Sequence, residues 1–515
     1  MYFWVFLAIV YTIYSLIIYL TPCPLTGKGE GERGLHLRNV YLMLVSWFFY
    51  YKTSGIFLAL LVALTVINWL FGLLLGRLQS SLAPRWGKGG LKAGLGAGVL
   101  IDLAALFYFK YAYFGVDVFN TVFGTNHTIA EKIILPVGIS FYTFQVISYI
   151  ADIYQGKVKP VRNLLDFGFY VAFFPQLVAG PIVRASEFLP QLYKPFFLGR
   201  RQFGIAVFWI LNGLMKKIIL SDYLAVNFVD RVFQSPLLFS GFENFMALLV
   251  YSMQVYADFS GYTDIAIGVA MLFGFYLPKN FDSPYKSQNP QEFWRRWHCS
   301  LSRWLKQYVY IPLGGNRTIL GIKCPKLLAG NWNSFLTMLI GGLWHGASWN
   351  FVIWGGLNGI GMIINKIWRA IKESLGISQW VKRHVWIDKI DTGVSVVITF
   401  LFISFTRLFF RSSSNLDPAT ANEEAWETAR NMMGQITGAW HNDVILPFLW
   451  EYRYVVVLFA LGMVIHWLPA KFKQWYRLNF AMMPIWLIGL AVVLCVAIVY
   501  QFITADMQPF IYFQF

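Results

Sequence analysis

The sequence predicts an all-α, polytopic membrane protein, and three observations carry that prediction. The 515-residue chain is 57% hydrophobic and 19% aromatic but only 13% charged, with a mean hydropathy of +0.54. A soluble surface of that size needs more charge. Apolar stretches of roughly 17–25 residues, enough to span a bilayer, recur from end to end and number about eleven to thirteen. Several are interrupted by Gly, Pro or Asp, the pattern of helices whose broken backbone is covered by protein rather than lipid.

The first stretch, Met1 to Leu20, lacks a basic n-region and a small-residue cleavage site, so it is expected as a retained helix. Net charge is +17, with Lys and Arg bunched as in cytoplasmic loops. The bilayer, not nucleic acid, is the expected partner of such a chain. Between Lys279 and Lys326, nine Lys/Arg stand against Asp282 and Glu292 alone, which puts that loop inside. Between Ser412 and Tyr452, Arg430 stands against six acids, and that loop is expected outside. Arg77, Arg85, Lys88 and Lys92 mark another inside loop, and a helical hairpin before it places Met1 outside. The basic turn Lys471, Lys473, Arg477, followed by a last crossing, brings the C-terminus outside as well. Cys23, Cys299, Cys324 and Cys495 form no CxxC pair, so neither a disulfide framework nor a metal site is expected.

The richest stretch is Gln291 to Arg317, QEFWRRWHCSLSRWLKQYVYIPLGGNR. Phe293, Trp294, Trp297, Leu301, Trp304, Leu305 and Tyr308 recur at three and four residues, the spacing of one helix with an aromatic stripe. His298, Ser302 and Lys306 fall on another face at i, i+4 and i+8, with Arg295 beside them. An interfacial helix with a tryptophan belt and snorkelling cations has the same pattern. The polar face around His298 also suits a wet cavity. Pro312 ends the run, and Gly314–Gly315 turn it before Asn316 and Arg317.

In Gly341 to Trp349, GGLWHGASW, His345 lies inside an apolar run from Phe335 to Leu357. An ionisable group at membrane depth faces a cavity or a partner helix. Gly341, Gly342 and Gly346 clear space around it for a backbone or a ligand. The run allows either two short crossings or a re-entrant hairpin. Two more stretches, Phe173 to Arg184 (FFPQLVAGPIVR) and Tyr256 to Gly268 (YADFSGYTDIAIG), are expected as broken intramembrane helices, with Asp258 and Tyr262 as candidate cavity groups. No GxSxG elbow, HExxH or Walker loop occurs.

WRRWH followed by GLWHG, with LVAGPIVR and DFSGYTDIAIG upstream, resembles the membrane-bound O-acyltransferase family and, within it, the bacterial alginate O-acetyltransferase branch. The resemblance divides the chain into N-terminal transmembrane helices (1–134), a catalytic core (135–365), and C-terminal helices with an external loop and an FxYxxF tail (366–515). It implies a helical bundle around a funnel open to the cytoplasm, in a bacterial inner membrane. It also implies a catalytic histidine at His345 with His298 as its motif partner, and acetyl-CoA as acyl donor. A separate periplasmic acetyltransferase would pass the acetyl group to an alginate-, cellulose- or peptidoglycan-like polysaccharide.

Arg295, Arg296, Lys306 and Arg317 form a basic rim suited to CoA phosphates, and Asp258, Tyr262, Ser302 and Asn316 are candidate funnel-lining groups. The tail QPFIYFQF, Gln508 to Phe515, resembles the C-terminal motif of a small membrane partner in D-alanylation, which makes Tyr512 a candidate acyl relay. A phenol of pKa ≈ 10 forms an ester of high transfer potential. Aromatic anchoring at the interface explains the same tail. D-alanyl transfer from a carrier protein, or a transporter using the histidines as proton relays, are the rival functions; no inverted repeat supports the transporter.

Overall fold

A computed structural model describes residues 2–20, 30–80, 87–130, 132–177, 180–194, 198–414, 416 and 420–502. The all-α expectation is met. Among the described residues the only strands are Thr318–Ile319 and Ile322–Lys323, an antiparallel hairpin. Its turn residues Leu320 and Gly321 have φ +50° and +87°, as a tight two-residue hairpin requires. Among the described residues, five helices are long and apolar enough to cross a membrane, and a sixth if the bent pair Ile445–Glu451 and Arg453–Trp467 is one span. The chain is a multi-pass membrane protein.

The chain forms two compact units. The first comprises 1–210, 265–278 and 480–482. Its core is aromatic: Phe188 stacks on Phe275 at 5.3 Å, and Phe169 and Phe173 close around the pair. Buried Arg38 lies over the Phe275 ring and donates to the Leu192 carbonyl at 2.8 Å. The expected interruption within 173–184 is present, for Phe174–Leu177 is a four-residue helix and the next begins at Ala185.

The second unit comprises 211–264, 279–479 and 483–515 and holds both motif histidines. The helix Gly241–Leu272 runs without a break, which corrects the expectation for 256–268. Its carboxylates are met by cations from the π-helical turn Met215–Asp222. Lys216 lies 2.7 Å from Asp264, and Lys217 bridges Asp258 at 2.6 Å and Asp222 at 2.8 Å. Paired and hydrogen-bonded in this way, the acids need no unwound backbone to be tolerated. Gly261 allows the approach, since a Cβ there would stand 2.8 Å from the Gly213 carbonyl oxygen.

Candidate active site

His345 is the last residue of the helix Lys326–His345, which pairs with the helix Trp349–Ser374 across the short turn 346–348. This is a helical hairpin, one of the two arrangements the sequence allows. Glycine makes its tip possible. A Cβ on Gly342 would lie 2.3 Å from the Phe351 carbonyl oxygen, and one on Gly346 would lie 2.1 Å from the Phe351 ring. The backbones therefore meet directly, and the chain leaves the helix beside the imidazole.

His345 is 3% exposed and boxed by aromatic rings. Trp344, Trp354 and Phe410 stand 4.9, 5.0 and 5.1 Å from its centroid. One side of the ring faces a narrow cavity of about 20 Å³, on the order of the space one ordered water needs. Trp294, Trp297, Trp354 and Phe410 wall it, with Asn358, Thr406 and Arg407 as its polar groups. An imidazole here can accept a proton from a hydroxyl brought into a largely dry pocket.

The WRRWH stretch does not form the single helix that its spacing predicts. One helix, Pro290–Arg296, stops at Trp297, and a second begins at Cys299. Between them His298 adopts φ +44°, a left-handed conformation that a non-glycine residue holds only under tertiary constraint. Asn280 supplies it. Its Oδ1 accepts from the Ser300 N–H at 3.1 Å and the Ser300 hydroxyl at 2.9 Å, and lies 3.1 Å from His298 Nδ1. The Cys299 N–H donates to the Asn280 carbonyl. Burial pulls the His298 imidazole down to about 3, so the ring is neutral. Trp344 lies between the two motif histidines, 5.9 Å from the His298 ring and 4.9 Å from the His345 ring.

The structure thus brings His345 together with Trp294 and Trp297 of the WRRWH stretch, while the remaining expected residues line no part of the cavity. Arg295, Lys306, Asn316 and Arg317 are exposed. Arg296 pairs with Glu292 at 2.8 Å. Ser302 donates to the Trp297 carbonyl, Asp258 holds Lys217, and Tyr262 is half-buried on the Gly241–Leu272 helix. Tyr512 lies outside the described residues. Sequence reasoning passed over Arg407, although a cation inside the apolar run 396–410 is itself a signal. Asn358 and Trp354 carried no such mark.

A sequence model of the membrane-bound O-acyltransferase family matches residues 161–390. A probable alginate O-acetylase of Pseudomonas aeruginosa is 38% identical over 434 residues, covering 82% of this chain and 76% of the relative. The peptidoglycan O-acetyltransferase of Helicobacter pylori is 37% identical over 408 residues, covering 74% and 72%. A teichoic acid D-alanyltransferase of Bacillus subtilis is 28% identical over 288 residues, covering 54% of this chain and 69% of the relative.

Proposed function

Because the chain belongs to the membrane-bound O-acyltransferase family and is an O-acyltransferase, we propose that it moves acetyl from cytoplasmic acetyl-CoA toward an extracytoplasmic polysaccharide, with His345 as general base. The observation that carries this is the His345 ring on a small cavity walled by indoles. Acetyl rather than D-alanyl is favoured because the two O-acetylating relatives match more of the chain at higher identity than the D-alanyltransferase does.

The thioester enters the cavity beside His345. His345 takes the proton of the acceptor hydroxyl as that oxygen attacks the carbonyl carbon, and it returns the proton to the departing thiolate. General-base help of this kind contributes roughly 10²–10⁴-fold. Neutral His298, fixed by Asn280, supports Trp344 and through it the His345 ring. Arg295, Arg296, Lys306 and Arg317 steer the CoA phosphates by charge. Tyr512 is the acceptor that carries acetyl outward, and a periplasmic acetyltransferase then collects it. A bacterial inner membrane, with both termini outside, suits that path.

Purified protein incubated with acetyl-labelled acetyl-CoA tests the proposal. Label is expected on the chain at Tyr512, lost in Y512F and in H345Q. Normal labelling of H345Q removes the general base. Turnover with D-alanine on a carrier protein, and none with acetyl-CoA, makes the protein a D-alanyl transferase instead.

A further inference from the structure

Attack of a hydroxyl on a thioester puts a full negative charge on the former carbonyl oxygen, and donors aimed at that oxygen are commonly the largest catalytic contribution. A general base alone leaves this charge unmet. The cavity beside His345 contains the groups to meet it.

Arg407 lies in the helix Val385–Ser412, a candidate membrane span, and is 5% exposed. Arg411, one turn further along, pairs with Asp230 at 2.8 Å. Arg407 has no such partner, for among the described residues no carboxylate comes within ion-pair distance of it. Its contacts are neutral: it donates through Nη1 to the Ser252 carbonyl at 3.1 Å, lies over the Trp297 ring at 4.2 Å, and also meets Tyr285, over whose ring it lies at 5.5 Å. A guanidinium carries five N–H donors, so the Ser252 carbonyl and Tyr285 leave donors for a further group. A buried cation without a counter-charge is expensive, above all inside a membrane span.

Two further groups on the same cavity point the same way. The Trp294 indole nitrogen is shielded from solvent and has no hydrogen-bond partner among the described residues. Asn358 gives its Nδ2 to the Trp354 carbonyl at 2.8 Å, while its Oδ1 is buried without a donor among the described residues. One pocket therefore holds an uncompensated cation, an unused N–H donor and an unused acceptor beside the imidazole.

We infer that the Arg407 guanidinium and the Trp294 indole N–H form the oxyanion hole of the transfer. The inference rests on the His345 reading above. As the acceptor oxygen bonds to the acyl carbon, its proton passes to His345 and the carbonyl π pair moves onto oxygen, where Arg407 and Trp294 hold it. When the carbonyl re-forms, the C–S bond breaks and His345 returns its proton to the thiolate. Ground-state binding of the donor depends little on any of these contacts, because they strengthen only as charge develops.

The test measures kcat and donor KM for acetyl-CoA in R407M, R407K, W294F and H345Q, with thermal unfolding of each. R407M is expected to lose about 10²–10³-fold in kcat while donor KM stays within about threefold. R407K is expected to recover part of that loss, as is R407M supplied with methylguanidinium. W294F is expected to lose roughly tenfold, again in kcat. The assignment is overturned if R407M keeps its kcat, or if its loss lies in donor KM, which would make Arg407 a ground-state site for the donor's own anionic groups. Should R407M not fold, W294F decides alone, and an unchanged kcat there overturns it. An active H345Q removes the underlying mechanism; a dead H345Q beside an active R407M removes only the oxyanion hole.

Discussion

The His345 imidazole meets the Trp354 indole at a near right angle, with centroids 5.0 Å apart and planes at 85°. Trp354 also wall the cavity and packs on Trp294 at 5.5 Å and Phe410 at 5.1 Å. This indole therefore sets how much acyl chain fits beside the base. Trp354→Ala should widen the pocket and favour longer acyl groups. Each methylene in an apolar pocket discriminates by about 1–3 kcal/mol, so the ratio of kcat/KM for butyryl-CoA to that for acetyl-CoA should rise at least tenfold. A folded W354A variant with an unchanged ratio would show that another surface limits chain length.

Asn280 holds the left-handed turn at His298 through one side-chain oxygen that serves both Ser300 donors and His298 Nδ1. Asn280→Ala should leave those buried groups unmet, each at a cost of about 1–3 kcal/mol. The turn would then relax toward the helix its spacing prefers. Thermal unfolding in detergent should show a clear loss of stability, and acyl transfer should fall with it because Trp344 loses its neighbour. An N280A protein with wild-type melting would mean that the turn is held from elsewhere.

Burial keeps His298 neutral down to about pH 3, against an ordinary histidine near 6.5. Between those values the unfolded chain binds a proton that the folded chain refuses. Stability therefore rises with pH across this window and is lost as pH falls through it, with a slope of up to about 1.4 kcal/mol per pH unit. His298→Asn removes that dependence. Chemical denaturation at pH 4.5 and pH 7 should show a smaller difference for H298N than for the parent chain, and an equal difference would place the acid-sensitive group elsewhere.

The membrane class and the candidate base His345 were legible in the sequence, most of the cavity lining was not, and the exceptions share a cause. The membrane class follows from composition, and His345 was marked by an ionisable group in an apolar, glycine-flanked run. The break at His298 was not visible, because Trp297 and Leu301 keep the helical spacing on both sides of it. The constraint comes from Asn280, which lies 18 residues away. The unbroken helix through Asp258 and Asp264 escaped for a similar reason: the lysines that compensate those carboxylates lie 41 and 48 residues earlier. The pairing of Arg296 with Glu292, by contrast, is an i,i+4 relation that the sequence displays. Arg407 is recognisable as a charge in a span, but only the structure separates it from paired Arg411, and it lies beyond the family match that ends at residue 390.

Adjacent glycines in the His345 helix offer a comparison within one motif. A Cβ on Gly342 would stand 2.3 Å from the Phe351 backbone oxygen and 3.1 Å from the Gly355 Cα, neither of which can move without the other helix. One on Gly341 would meet only the end of the Leu305 side chain, at 3.1 Å. Alanine also favours a helix over glycine by about 1 kcal/mol. Gly341→Ala should therefore be close to neutral, whereas Gly342→Ala should cost about 1–3 kcal/mol as the hairpin is prised apart. Because the Trp349–Ser374 helix carries Trp354 and Asn358, G342A should also lose activity beyond its loss of folded protein. Unfolding curves and specific activity for the two variants check this. Equal behaviour of the pair would mean that the hairpin does not depend on direct backbone contact at Gly342.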